Sequence, residues 1–219
     1  MSAIGAHDVQ TFVASCDATD GWQQVASAAN YTEWSRPGTS SLLSLKIAYT
    51  IAGVTPQQVF ETLADQEYRT TWDTNALRRD VVRKIDASNT LIYYQYNVPY
   101  VTNRDYVFVQ TTWRDGETFV LLNQSVDDPA YPPNANGLVR AYFHATGFVI
   151  RPTEGGTLVV NVACNDMGGS IPSFLINSQA KNVLPKNLAI IEKAARGYDE
   201  WKQQHSPEDR PWLTFAPPA

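Results

Sequence analysis

The spacing of apolar side chains changes period along the chain, and each period predicts a different kind of element. Residues 43–51 alternate apolar side chains with smaller or polar ones, which is the period of a half-buried β-strand. Residues 9–29, before them, are mildly amphipathic and are predicted to be helical. Residues 55–58 combine a capping threonine, a proline at the first helical position and a glutamine three residues after the cap. A helix is therefore expected from there towards Asp73, with a break near Gln66.

From about residue 80 onward, β-branched and aromatic side chains predict a long antiparallel meander. The predicted strands are residues 81–85, 91–96, 106–113, 118–124, 138–150 and 157–165. Asp115 and Gly116 mark a tight hairpin, and the prolines within 129–133 indicate a long loop. Gly168 and Gly169 are expected to end the sheet.

The last large element is predicted to be an amphipathic helix that starts at Pro172. Its apolar stripe consists of Leu184, Leu188, Ile191, Ala195 and Tyr198. Pro185 removes one helical hydrogen bond and is expected to kink or divide the helix. We expect one domain over residues 1–205 and a proline-rich tail over 206–219. This order of elements predicts an α+β protein in which a long helix covers the apolar face of a curved sheet, with a cavity wherever side chains do not fill the space.

Composition narrows the function. The 219 residues are 43% hydrophobic and 18% charged, which is typical of a globular chain, and the net charge of −5 argues against a nucleic-acid partner. The two cysteines, Cys16 and Cys164, are too few for a disulfide framework. No stretch has the roughly 18 apolar residues that a membrane span needs, and the N-terminus does not resemble a signal peptide. We therefore expect a cytoplasmic monomer that touches a membrane surface only transiently.

Five short motifs resemble the START (StAR-related lipid transfer) family, and most closely its phosphatidylcholine-transfer branch. They occur in the family's order at residues 68–73, 103–107, 137–141, 168–172 and 175–182. The resemblance implies a helix-grip fold around a hydrophobic tunnel. It also implies binding of one lipid and its transfer between membranes, with a phospholipid such as phosphatidylcholine as the expected ligand.

Arg69 and Asp73 are the first candidates for headgroup recognition. Their i, i+4 spacing on a helix is also that of an ordinary surface ion pair, which contributes roughly 0.3–0.5 kcal/mol. In START proteins that resemble this chain, the matching arginine and acid face the tunnel. The resemblance therefore implies that Arg69 binds the lipid phosphate as a two-pronged donor and that Asp73 holds Arg69 in place.

Aromatic residues raise the possibility of a choline site. Tyr94 and Tyr106 lie near the positions that, in the choline-binding branch, enclose a quaternary ammonium through cation–π attraction. Packing within a sheet would explain the same tyrosines. The resemblance places a third aromatic residue near Ala163, where this chain has none, and this departure counts against a complete choline cage.

Polar residues on neighbouring predicted strands keep a second lipid class open. Gln95, Gln110 and Asn123 would face solvent under simple alternation. In sterol-binding relatives an acid and a base occupy positions resembling Gln95 and Gln110, and the two amides here weaken a sterol interpretation. The resemblance to the ceramide-transfer branch implies that Asp73, Gln95 and Asn123 could hold the ceramide amide and hydroxyls.

No nucleophile elbow, phosphate-binding loop or metal-ligand spacing is found in the sequence. We therefore expect no catalytic residue, no metal and no cofactor. Two other classes of function remain beside lipid transfer: a lipid sensor whose loaded state is recognised by a partner protein, and an enzyme acting on a hydrophobic substrate.

Overall fold

The computed structural model of the protein describes residues 3–37, 43–98, 101–133, 135–169 and 173–205. The elements within them are, in order, α1 (Ala6–Asp17), β1 (Gln23–Ala28), β2 (Tyr31–Pro37), β3 (Leu43–Ala52), α2 (Pro56–Ala64), α3 (Gln66–Trp72), β4 (Ala76–Lys84), β5 (Asn89–Tyr96), β6 (Arg104–Asp115), β7 (Thr118–Ser125), the 3₁₀ turn Ala135–Gly137, β8 (Val139–Arg140), β9 (Tyr142–Phe143), β10 (Thr146–Thr153), β11 (Gly156–Asp166) and α4 (Ser173–Gln204). The predicted tail, residues 206–219, and the predicted helix start at Pro172 lie outside the described residues.

The strands form one curved sheet in the order β1-β2-β3-β11-β10-β7-β6-β5-β4, with antiparallel pairing between neighbours. The short strands β8 and β9 pair with β6 and β11 off this path. The helices α2 and α4 pack on the inner face of the sheet, whereas α1 packs on the outer face. The predicted α+β helix-grip arrangement, a sheet gripping a long C-terminal helix, is thereby confirmed.

The inner face carries the core that positions the site. Phe60 of α2 stacks on Phe119 of β7, with ring centroids 5.0 Å apart. Leu188, Ile191 and Ala195 of the predicted α4 stripe are buried in the same cluster. Burying one such large apolar side chain contributes about 1.5–3 kcal/mol, so this face holds the two helices firmly on the sheet.

The helix signal at residue 55 is confirmed. The Thr55 hydroxyl accepts a hydrogen bond from the Gln58 backbone N–H at 3.2 Å, and the Gln58 side chain accepts one from the Thr55 N–H at 2.7 Å. The expected break falls at Asp65, which ends α2 and caps α3. Asp65 has an extended backbone, so α3 is a helix separate from α2.

Two predictions about elements are wrong, and a third is wrong in part. The helix predicted over residues 9–29 ends at Asp17, and β1 and β2 follow as a hairpin; β1 is almost wholly exposed, so it carries no alternating apolar signal. Residues 138–150, predicted to form a single strand, instead contain the two short strands β8 and β9 and the start of β10. Of the two effects expected of Pro185, division of the helix is not found, because α4 is one helix of 32 residues.

Candidate functional site

The short helix α3 brings charged side chains to the inner face of the sheet. Its cap, Asp65, accepts hydrogen bonds from the backbone N–H groups of Glu67 and Tyr68, both at 3.0 Å. The other Asp65 oxygen accepts a hydrogen bond from the Tyr198 hydroxyl of α4 at 3.0 Å. The Tyr68 hydroxyl in turn donates to the Ala194 carbonyl at 2.7 Å. Because α3 is tied to α4 at two points, the residues on its other side have a fixed orientation.

Arg69 and Asp73 form a nearly buried ion pair. The Arg69 Nε donates to Asp73 Oδ2 at 3.2 Å, and the two side chains are only 17% and 11% exposed. The Arg69 Nη1 donates to the Leu63 carbonyl at 3.2 Å, and the Tyr94 hydroxyl donates to Asp73 Oδ2 at 3.3 Å. The pair is therefore not an ordinary surface pair; it joins α3 to the middle of β5 in a region of low dielectric.

A second arginine, which the sequence pattern did not single out, lies beside this pair. Arg79 of β4 is opposite Tyr94 in the strand register, and its guanidinium carbon lies 5.2 Å from the centre of the Tyr94 ring and 5.6 Å from that of Phe108. Its Nε donates to the Gln66 side chain at 2.5 Å. The predicted strand began at residue 81, two residues too late to pair Arg79 with Tyr94.

A chain of amides continues from Arg79 across the sheet. Gln66 donates to the Gln110 side-chain oxygen at 2.8 Å, and Gln110 donates to the Asn123 side-chain oxygen at 3.1 Å. Gln110 and Asn123 are opposite each other on β6 and β7 and are both buried. The structure thus brings these two predicted residues together and adds Gln66, which the sequence had marked only as the place of a helix break.

Aromatic rings form the wall next to the charged groups. Tyr106 is opposite Tyr94, with ring centroids 6.1 Å apart, and it stacks on Phe143 of β9 at 4.2 Å. Burial raises the pKa of both tyrosines, so their hydroxyls remain neutral donors at physiological pH. Phe143 supplies a third ring beside Tyr106, in a segment that was wrongly predicted to lie within a single long strand.

Gln95 is separated from the other six predicted residues. It follows Tyr94 on β5 and therefore points to the outer face, where its side chain donates to the Tyr93 hydroxyl at 3.0 Å. The expected grouping of Gln95 with Asp73 and Asn123 is not found in the structure. We leave Gln95 out of the candidate site, which consists of Arg69, Asp73, Arg79, Tyr94, Tyr106, Gln66, Gln110 and Asn123.

A buried acid lies elsewhere on the inner face. Glu33 of β2 is opposite Ile47, is 1% exposed, and its Oε1 has no hydrogen-bond partner among the described residues. Burial raises the pKa of its carboxyl group above the usual 4.5. Glu33 therefore places an unpaired acid among apolar side chains, which costs stability whenever the group is ionised.

We expect Glu33→Gln to stabilise the protein at pH 8 and to have little effect at pH 4. A carboxyl group whose pKa is higher in the folded state lowers stability as pH rises above its unfolded value, and the penalty disappears below that value. The melting temperature of both proteins across this pH range measures the effect. Glu117→Gln, in the exposed hairpin turn, is the control. A stabilisation that did not change with pH would contradict this explanation.

Neither a metal centre nor a spanning helix is found in the part of the chain that the structure describes. No group of three or more His, Cys, Asp or Glu side chains could hold a metal ion there. Likewise, no helix among the described residues is long and apolar enough to cross a membrane. What the site offers is a pair of cations, one carboxylate and a set of neutral donors at the edge of an apolar cluster.

This chain is similar to known proteins in both sequence and fold. A family model described as START domain matches residues 12–200. START domain-containing protein 10 of Homo sapiens is 30% identical over 210 residues, which cover 94% of this chain and 72% of the relative. Phosphatidylcholine transfer protein of Bos taurus is 29% identical over 161 residues, covering 69% of this chain and 74% of the relative.

Solved structures agree. The crystal structure of human STARD10 has a TM-score of 0.89 at 28% identity and covers 97% of this chain and 88% of that one. Human StAR-related lipid transfer protein 5 has a TM-score of 0.80 at 18% identity, covering 88% and 95%, which shows a common fold.

Proposed function

The chain belongs to the START domain family, and from that premise we propose that it encloses one two-chain phospholipid and carries it between membranes. The observation that carries the proposal is the nearly buried Arg69–Asp73 pair at the edge of the inner-face core. Removing two charges from water costs free energy, and an ion pair offsets this cost only when it also has other polar partners. A lipid phosphate would be such a partner for Arg69.

The energetic task of a transfer protein is to lower the cost of removing acyl chains from a membrane. Burying one methylene away from water contributes about 0.8 kcal/mol, so moving a lipid with roughly thirty methylenes from a membrane into water costs on the order of 20 kcal/mol. In the proposed complex the acyl chains lie between the sheet and α4, where apolar side chains provide an environment similar to the membrane interior. The transfer is then nearly neutral overall, and the barrier falls.

A phospholipid fits the charges of the site better than ceramide does. One relative is called phosphatidylcholine transfer protein, and phosphatidylcholine carries the kind of phosphate that Arg69 would bind. Ceramide remains the second candidate because Gln110 and Asn123 form a buried amide pair that could turn to its amide and hydroxyls. Ceramide, however, would leave the arginines without an anion.

Exchange requires the inner face to open. The segment before α4 contains Gly168 and Gly169, both with positive φ, and Arg104 holds it by donating to the carbonyls of Met167 at 3.0 Å and Gly168 at 3.3 Å. We propose that α4 swings from this fixed point when the protein meets a membrane surface. We also propose that the protein works as a cytoplasmic monomer.

Catalysis is not part of the proposal. Asp73 would be the general base in an enzyme, but its Oδ2 already accepts hydrogen bonds from Arg69 and Tyr94. A lipid sensor is compatible with the same site and differs in kinetics, since a sensor should retain its lipid rather than exchange it.

The proposal predicts that the purified chain retains one unmodified phospholipid and moves labelled phospholipid between two vesicle populations. Native mass spectrometry measures the stoichiometry, and the rise in acceptor fluorescence measures transfer. Vesicles without protein supply the spontaneous rate as the control. A protein that stays empty with every vesicle would contradict lipid binding, retention without exchange would favour a sensor, and a chemically altered lipid would favour an enzyme.

A further inference from the structure

Arg79 carries a positive charge into the site that no described side chain neutralises. Its Nε is bonded to the neutral Gln66 amide, and its Nη2 is buried without a hydrogen-bond partner among the described residues. It has no ion pair there either. An unused donor on a buried guanidinium is costly unless a ligand accepts from it.

The charges of the site do not balance. Among its described side chains, Arg69 and Arg79 are cationic and only Asp73 is anionic, which leaves one positive charge in excess. Burial, and then repulsion from Arg69, lower the pKa of Arg79 to about 9, so it is still protonated at neutral pH. The tyrosines and amides around it are neutral. A bound group with one net negative charge would make the site neutral.

Arg79 also occupies the aromatic surface that a choline group would need. Its guanidinium lies over the Tyr94 and Phe108 rings in the position of a cation–π partner. A quaternary ammonium brought to Tyr94 would meet a ring face already in contact with a cation, and like charges at such distances repel strongly in a region of low dielectric. The internal cation therefore disfavours a headgroup that carries its own positive charge.

We propose that the ligand is an anionic phospholipid, a phosphodiester whose headgroup carries no cation, such as phosphatidylglycerol or phosphatidylinositol. This inference rests on the proposed function and names its substrate class. The phosphate lies between Arg69 and Arg79, with Nη2 of Arg79 as a donor to it. A zwitterionic lipid would supply the same phosphate but would leave the site with its excess positive charge.

The test presents both lipid classes at once. The full chain is incubated with vesicles of equimolar dioleoyl phosphatidylglycerol and dioleoyl phosphatidylcholine, re-isolated, and analysed by native mass spectrometry. Because both lipids have the same acyl chains and the same vesicle surface, attraction to that surface does not affect the ratio. We expect phosphatidylglycerol to exceed phosphatidylcholine about tenfold, because only the choline headgroup brings a second cation against Arg79.

Variants assign the preference to Arg79. Arg79→Gln should bring the ratio close to one, and Arg79→Lys, which keeps the charge, should retain most of it. Arg78→Gln is the matched control, because Arg78 is the preceding residue on β4, is 53% exposed, and pairs with Asp80 away from the site. If Arg79→Gln does not fold, the ratio in the native chain and in Arg79→Lys still decides the question.

The outcomes separate this inference from the proposed function. Equal or greater loading of phosphatidylcholine by the native chain would overturn the anionic headgroup and leave phospholipid transfer intact. Retention of neither lipid would overturn the proposed function itself. Glycerophosphoglycerol, which has the phosphodiester without acyl chains, should not raise the melting temperature of the protein. If it raised the melting temperature as much as phosphatidylglycerol does, the site would bind a water-soluble phosphodiester, and the lipid would be overturned.

Discussion

Replacing Arg69 by glutamine is expected to lower phospholipid loading at least about tenfold, whatever the headgroup. Glutamine can fill part of the space but cannot present a charged, two-pronged donor to a phosphate. The change also leaves Asp73 with the Tyr94 hydroxyl as its remaining partner at 3.3 Å, so the carboxylate would repel the lipid phosphate directly. Loading from vesicles, measured by native mass spectrometry at equal protein concentration, gives the ratio.

The matched control is Arg196→Gln. Arg196 forms an ion pair with Glu192 at the same spacing of four residues on a helix, at 2.8 Å, but its side chain is 48% exposed. It should load like the native protein. Equal loading by native chain and Arg69→Gln, with a folded variant by circular dichroism, would contradict the role of Arg69. Arg69 and Arg79 also differ in expected behaviour, since we expect changes at Arg69 to lower loading of every phospholipid and changes at Arg79 to alter the choice between headgroups.

The elements that were predicted from the sequence are those in which residue type depends closely on the local environment. The Thr55 cap and the stripe on α4 were identified because capping and burial require particular residue types at fixed spacing. The β1–β2 hairpin was missed because β1 is almost entirely exposed, so its residues show no alternation of apolar and polar side chains. Local sequence cannot distinguish such an edge strand from a polar helix end.

The site was predicted only in part, for a similar reason. Arg69 and Asp73 are close in sequence, so their spacing reported their contact. Arg79, Gln66 and Phe143 reach the site through strand register and the helix break, which depend on pairing between distant segments. The misplacement of Gln95 has the opposite cause: one residue along a strand reverses the face, and only the observed register assigns Tyr94 inward and Gln95 outward.

Breaking the Arg140–Asp105 pair is expected to be the most destabilising of these changes. Arg140 donates to both Asp105 oxygens, at 3.0 and 2.8 Å, and the two side chains are only 4% and 2% exposed. It also donates to the Tyr131 carbonyl at 2.9 Å, which ties the proline-containing loop to the sheet. Arg140→Met should therefore lower the free energy of unfolding by about 3–5 kcal/mol, because it leaves Asp105 charged and buried without its partner.

A second bidentate pair in the same chain separates burial from geometry. Arg151 donates to both Asp17 oxygens, at 2.6 and 2.9 Å, but the side chains are 28% and 50% exposed. Arg151→Met should cost no more than about 1 kcal/mol, since water replaces the lost partner. Urea unfolding of both variants gives the difference. Equal losses would show that the Arg140 pair is not held in a dry environment. The double variant Asp105→Leu with Arg140→Met should recover part of the stability lost by Arg140→Met, because no charge is then left buried.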